Sequence, residues 1–196
     1  MTSRRVLAAL LLSGVLAACA GASRPSEALA RCASAPPQPG RLQLTLSPAS
    51  FGRTLSLQQQ VRIAAAGHTA DLDAALDITP REITLVGLEL GQRVLTLTYA
   101  NGMLCEQRHS RLPAEVRGAD ILTDLQLSLW PVDAVRAALP PGWTLTDEDY
   151  RRVLAHDGRD VEVIAYDGPI RWESRITLRN LQYEYQLVIH SALAAP

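Results

Sequence analysis

Between residues 55 and 108 apolar and polar side chains alternate with few interruptions. Leu55, Leu57, Val61 and Ile63 fall on one set of alternate positions, and Ser56, Gln58, Gln60 and Arg62 on the other. A period of two puts the first set on one face of a β-strand and the second on the opposite face. After Ala66-Gly67 the rhythm restarts in Ala70, Leu72, Ala74, Leu76 and Ile78, with Asp71, Asp73 and Asp77 facing the other way. Two further apolar stretches, residues 83–88 and 93–99, flank Glu89-Leu90-Gly91-Gln92, and Asn101-Gly102 separates Tyr99 from Met103. Both central residues of a type I′ turn need positive φ, which Asn-Gly accepts most readily. The pattern predicts a five-stranded antiparallel meander over residues 55–108 with one apolar face.

The rhythm changes on either side of the meander. Leu42, Leu44 and Leu46 alternate and predict a short opening strand ended by Ser47-Pro48. Beyond Leu112-Pro113, Ile121, Leu122, Leu125 and Leu129, and then Val132, Val135 and Leu139, recur at intervals of three or four. These are helical spacings, and Pro131 after Trp130 divides them into two helices, because proline fits a helix's first turn but not its middle. Pro140-Pro141-Gly142 ends the second. Strand character returns over residues 143–155, Asp157-Gly158 predicts a hairpin to residues 161–166, and Ile176 and Leu178 alternate with charge. Tyr183, Tyr185, Leu187 and Ile189 share one face of a closing strand. The expected fold is α+β, mainly β: nine or ten antiparallel strands around two central helices.

The amino terminus departs from this picture. Arg4-Arg5, an apolar run and Leu16-Ala17-Ala18-Cys19 read as an export signal over residues 1–18. Leu16 to Cys19 resembles the bacterial lipobox, in which the cysteine is lipidated and becomes the first mature residue. Ala20 in place of Asp favours the outer membrane on the same resemblance. Acyl chains at about 0.8 kcal/mol per buried methylene make such an anchor effectively permanent. Residues 19–40, rich in Ala, Ser, Pro and Gly, read as a flexible tether, leaving residues 41–196 as the one domain that 196 residues and 47% hydrophobic content support. With Cys19 lipidated, Cys32 and Cys105 are the remaining thiols. In an oxidising compartment they either pair, pinning the tether to the sheet, or stay as two unrelated thiols.

Formal net charge is -1, and all 19 basic residues are arginines. No basic stripe with interleaved aromatics is present, which argues against a nucleic-acid partner. Catalytic and metal signatures are missing too: there is no Gly-x-Ser-x-Gly, His-Glu-x-x-His or Cys-x-x-Cys. His68, His109, His156 and His190 are scattered, three of them at or beside expected turns or strand ends. Ser128 and His109 are not joined by any catalytic spacing. Asp71, Asp73 and Asp77 lack the glycine-rich loop that wraps a cation and read as a solvated sheet face. The expectation is a protein without enzymatic activity, cofactor or metal.

The inner face is mostly aliphatic, and the chain has a single Phe. A sheet of this many strands curls by its own twist. Two helices then either plug the concavity or cover a cavity, with Leu57, Val61, Leu72, Leu76, Leu85, Leu95 and Leu97 from the strands and Ile121, Leu125 and Leu129 from the first helix as candidate lining. The order of tether, meander, two helices and closing hairpins resembles a family of bacterial outer-membrane lipoproteins of unassigned function associated with aryl polyene (xanthomonadin-type) biosynthesis. The sequence of residues 83–95, Leu127-Ser128-Leu129-Trp130-Pro131 and Tyr183-x-Tyr185 carry the likeness. That family is similar to the lipoprotein carriers LolA and LolB. The resemblance implies an incomplete β-barrel with a helical lid over an acyl-binding cavity. In LolB a protruding loop with an exposed leucine inserts acyl chains into the membrane, and Gly87-Leu88-Glu89-Leu90-Gly91 is the matching stretch. It gives that role to Leu90, or else Leu88, although the loop lacks LolB's proline and has one more residue between its glycines.

Two functions follow as expectations. One is an outer-membrane lipoprotein that faces the periplasm, holds an acyl or polyene chain, or a lipoprotein's acyl chains, and helps pass it to the outer membrane. It would work with a LolA-like periplasmic carrier or an inner-membrane exporter. The other is a structural or assembly lipoprotein with a filled core that works through protein contacts.

Overall fold

A computed structural model describes residues 40–194. Ten antiparallel strands form one open sheet: β1 (Leu55–Ala65), β2 (His68–Ile78), β3 (Glu82–Glu89), β4 (Gln92–Ala100), β5 (Met103–Arg108), β6 (Trp143–Glu148), β7 (Arg151–His156), β8 (Arg159–Tyr166), β9 (Ile176–Asn180) and β10 (Tyr185–Leu193). Their order is β5-β4-β3-β2-β1-β10-β9-β8-β7-β6, so β10 joins the amino-terminal meander to the carboxy-terminal strands through β1. The helices α1 (Gly118–Leu129) and α2 (Val132–Ala138) lie between β5 and β6 in the chain. The fold is mainly β, and the sheet does not close into a barrel.

The sheet must curl, because one short helix touches strands far apart in it. At its start the Gly118 N–H donates to Glu106 Oε2 on β5 at 3.2 Å. At its end the Leu127 carbonyl accepts from Arg152 of β7 at 2.6 Å and the Ser128 carbonyl from Tyr166 of β8 at 2.8 Å. A flat sheet would put β5 and β7 nearly 40 Å apart at about 4.8 Å per strand, whereas a twelve-residue helix is roughly 18 Å long. α1 starts close against the sheet: a Cβ on Gly118 would lie 2.7 Å from Leu97 Cδ2 and 2.8 Å from Glu106 Oε2, so a larger residue there would displace those two side-chain ends.

Four of the hairpins use an X-Gly turn with both residues at positive φ: Ala66-Gly67, Leu90-Gly91, Asn101-Gly102 and Asp157-Gly158. This is the type I′ signature expected at Asn101-Gly102 and Asp157-Gly158. At Leu90-Gly91 the strands extend through Glu89 and Gln92, which leaves a two-residue turn in place of a four-residue link.

Two expectations need correction. Leu42, Leu44 and Leu46 are extended but belong to no strand ladder. Side chains of α1 satisfy their backbone: Leu44 N–H donates to Thr123 Oγ1 at 3.1 Å, and the Gln126 amide accepts from Leu46 N–H and donates to Leu46 O, both at 3.0 Å. The alternation was real, since Leu42 and Leu44 are buried, but a helix took the place of a neighbouring strand. Tyr183 sits in the β9–β10 turn, where Glu184 takes φ +54°, and not in the closing strand.

Candidate functional site

The antiparallel strand directions fix which turns lie at which end of the sheet. β1 rises to the Ala66-Gly67 turn, β3 to Leu90-Gly91 and β9 to the turn containing Tyr183, so these three turns share one end. Toward the opposite end the concavity is solid. Leu57, Leu76, Ile78, Ile83 and Tyr99 pack there against Leu127, Trp130 and Phe51. Phe51 and Trp130 meet at a ring-centroid distance of 4.9 Å, Trp130 Nε1 donates to Ser50 Oγ at 3.0 Å, and the Tyr99 hydroxyl donates to the Thr45 carbonyl at 2.7 Å.

Toward the turn end the same strands and α1 diverge around a cavity of about 630 Å³. Val61, Ile63 and Ala65 of β1, Leu72 and Ala74 of β2, Leu85 and Gly87 of β3, Val94 and Leu95 of β4, and Leu187 and Ile189 of β10 form its wall. Ile121, Leu125 and Leu129 of α1 lie across it, with Leu112 and Val116 from the loop before that helix. Leu129, Ile176 and Leu178 in the lining are buried, whereas Ala65 and Glu115 are exposed at its rim. Of the lining expected from sequence, Val61, Leu72, Leu85, Leu95, Ile121, Leu125 and Leu129 face the cavity. Leu57, Leu76 and Leu97 do not, because they sit in the packed end, where bulky side chains fill the concavity.

One corner of the cavity is polar. Arg41 Nε donates to Asp120 Oδ1 at 2.7 Å while its guanidinium lies 3.8 Å from the Tyr183 ring centroid. Arg117 Nε lies 3.8 Å from Asp120 Oδ2. Beside them Asp124 accepts a 2.7 Å hydrogen bond from the Tyr185 hydroxyl. Burial pushes the Asp124 carboxyl up to about 7; the Tyr185 bond opposes that rise and the charge of Asp120 adds to it. Glu162 of β8 accepts from Asn180 Nδ2 at 2.9 Å, and its Oε1 is buried without a partner among the described residues. Burial, with the charge of Asp124 second, raises Glu162 well above the ordinary carboxyl range. Between Glu162, Asp124, Tyr185 and Arg41 lies a hollow of about 20 Å³, room for one water.

Sequence reasoning missed this corner because it depends on contacts between α1 and the far strands. The inward small residues Ala65, Ala74 and Gly87 were its legible companion signal, since they leave space that larger side chains would fill.

Leu90 is 98% exposed at the tip of the β3–β4 hairpin with φ +50°, and Leu88 is half-buried in the strand below it. Cys105 on β5 is disulfide-bonded. Residues 1–18, the tether up to residue 39, Cys19 and Cys32 lie outside the described residues. Asp71 is paired with Arg62 across β1 and β2 at 2.8 Å, and His156 stacks on Trp143 with ring centroids 4.3 Å apart. Among the described residues no helix is long and apolar enough to cross a membrane, and no three His, Cys, Asp or Glu side chains are grouped to hold a metal ion.

A family model described as "Protein of unknown function (DUF3261)" matches residues 56–193, from the start of β1 to the end of β10. No curated protein matches the chain.

Proposed function

Since the chain belongs to the DUF3261 family, whose function is unknown, we propose one from the cavity itself: the protein binds the hydrocarbon tail of an amphiphile and assists its transfer to a membrane. The observation that carries this reading is the size and lining of the hollow. At about 24 cal/mol per Å³, a sealed void of 630 Å³ would cost roughly 15 kcal/mol, as much as the entire stability of a typical domain. A space of that size is therefore open to solvent or filled by a guest. It lies within the range of about 300–1,000 Å³ common for small-molecule sites.

In this reading the curled sheet is a LolA/LolB-like half-barrel and α1 its lid. Cys19 carries lipid and holds the protein on the periplasmic side of the outer membrane. The guest is an acyl or aryl-polyene chain, or the acyl chains of a lipoprotein, delivered by a LolA-like carrier or an inner-membrane exporter. Leu90 supports the membrane-facing half of the proposal. Left-handed backbone disfavours a leucine, and full exposure wastes its side chain, so neither folding nor solubility accounts for it. The Leu90 turn, the cavity rim and the entering segment at Gly40 share one end of the molecule, Gly40 O accepting from Gln182 Nε2 of the β9–β10 turn at 3.1 Å.

The test uses the full chain with Cys19→Ser, offered saturated amphiphiles of graded length and examined by native mass spectrometry. One guest per chain is expected, with affinity falling on the order of tenfold for every two methylenes removed, at about 0.8 kcal/mol each. No retained guest at any length would end the proposal.

A further inference from the structure

The cavity is mostly apolar, with Gln59 and Ser128 as isolated polar groups, and its charged side chains gather at one corner whose chemistry selects a headgroup. Asp124 lines both the large cavity and the small hollow beside it. One of its oxygens accepts from Tyr185; the other has no hydrogen-bond partner among the described residues. Behind it Glu162 keeps a buried oxygen, Oε1, equally unpartnered. In its ionised form Asp124 offers its free oxygen as an acceptor, and the neighbouring hydroxyl of Tyr185 is already engaged.

The nearby cations do not reverse this balance. Arg41 is committed to Asp120 through two nitrogens and to the face of Tyr183. Arg117 also lies beside Asp120. Counting Glu115, the charged lining holds more carboxylates than guanidinium groups even before Glu162 is added. Coulomb repulsion in a site walled by hydrocarbon is weakly screened, so an anionic headgroup pressed against Asp124 would be expelled or would force protonation.

We propose that this corner is a headgroup site for amphiphiles ending in hydrogen-bond donors, primary amines or hydroxyls, and that it discriminates against those ending in carboxylate or phosphate. The tail lies along Val61, Leu72, Leu85 and Leu187, and the donor reaches Asp124. This rests on the tail-binding reading and adds its specificity.

The experiment measures displacement of the neutral fluorophore N-phenyl-1-naphthylamine from the full chain carrying Cys19→Ser, at pH 8, by four twelve-carbon competitors: dodecylamine, monododecanoylglycerol, dodecanoate and dodecyl phosphate. The amine and the glyceride are expected to compete at least tenfold better than the two anions. Asp124→Asn should remove most of the amine's advantage, read as the ratio of dodecylamine to dodecanoate potency on the variant itself. A larger advantage for the amine than for the glyceride assigns charge as the main determinant, and equal advantage assigns hydrogen bonding; either supports the proposal. Dodecanoate or dodecyl phosphate competing as well as the amine, or an amine preference that survives Asp124→Asn, would overturn it while leaving the tail-binding reading in place. Failure of the Cys19→Ser chain to bind the fluorophore would overturn both.

Discussion

The two ends of the concavity are built from the same strands and behave differently. On β1, Leu55 and Leu57 are buried, whereas Val61 and Ile63, in the same alternation, are only half-buried and line the cavity. On β2, Leu76 and Ile78 have no accessible surface, but Leu72 faces the hollow. The difference comes from what meets the sheet. The last turn of α1 and the segment around Phe51 bring Leu127, Trp130 and Phe51 to one end. The first turns of α1 bring Ile121, Asp124 and Leu125 to the other, opposite Ala74 and Gly87. Alternation decides which face looks inward; the partner's bulk decides whether that face is filled.

Truncations at the two ends should therefore differ in cost. Trp130→Ala removes a fully buried ring and its bond to Ser50, and a loss of about 3–5 kcal/mol is expected from urea unfolding. Leu72→Ala, which enlarges a space already open, should cost no more than about 1–2 kcal/mol by the same measurement. Equal losses would mean that the hollow is packed in solution. The reverse experiment is to fill it. Ala74→Phe should reduce amphiphile binding at least tenfold in the fluorophore assay, with a stability change under about 1.5 kcal/mol, since the added ring enters vacant volume and does not overpack a core.

Much of this difference was not legible in the sequence. The meander, the helix break at Trp130-Pro131 and the Asn-Gly and Asp-Gly turns could be read because each depends on neighbours close in the chain. The separation of Leu57 and Leu76 from Val61 and Leu72 could not, because period two assigns all four to one face and says nothing about depth. Leu42 to Leu46 misled for a related reason: strand-like alternation reports one buried edge, and that edge lies against Thr123 and Gln126 of α1. The polar corner was hidden most deeply. Asp124, Glu162 and Tyr185 come from three elements of the chain and acquire meaning only where these meet.

That corner should make stability depend on pH. Asp124 has a folded-state value of about 7 against an ordinary 3.8, and Glu162 is raised in the same direction. Between the two values of such a group the folded state binds the proton more tightly than the unfolded state does. Its contribution to stability is then complete below the ordinary carboxyl range and lost as pH rises through the folded-state value. The melting temperature should fall across roughly pH 4 to 7. Asp124→Asn should flatten that slope and raise the melting temperature at pH 8 by a few degrees. The packed end offers the opposite sign at Asp147. Burial opposes its ionisation, but hydrogen bonds from Arg171 and Arg152 outweigh burial and hold its carboxyl below the ordinary value. Its contribution is present at neutral pH and lost only in acid, so Asp147→Asn should destabilise the protein at pH 7 and matter less as pH falls.

The smallest expected effect on stability lies at Leu90 and separates folding from membrane function most cleanly. The Asn101-Gly102 and Leu90-Gly91 turns have nearly the same backbone, with φ +52° and +75° in one and +50° and +76° in the other. Asparagine tolerates that left-handed first position and leucine does not, a difference of about 1 kcal/mol. Leu90→Asn should therefore raise stability by about that amount in urea unfolding and leave fluorophore binding unchanged, because Leu90 does not line the cavity. If the tip enters the bilayer during transfer, the more stable variant should deliver a fluorescent amphiphile to phosphatidylethanolamine–phosphatidylglycerol vesicles several-fold more slowly. Leu90→Glu should deliver it more slowly still. Delivery at the wild-type rate by both variants would remove the membrane role from this hairpin while leaving the binding cavity untouched.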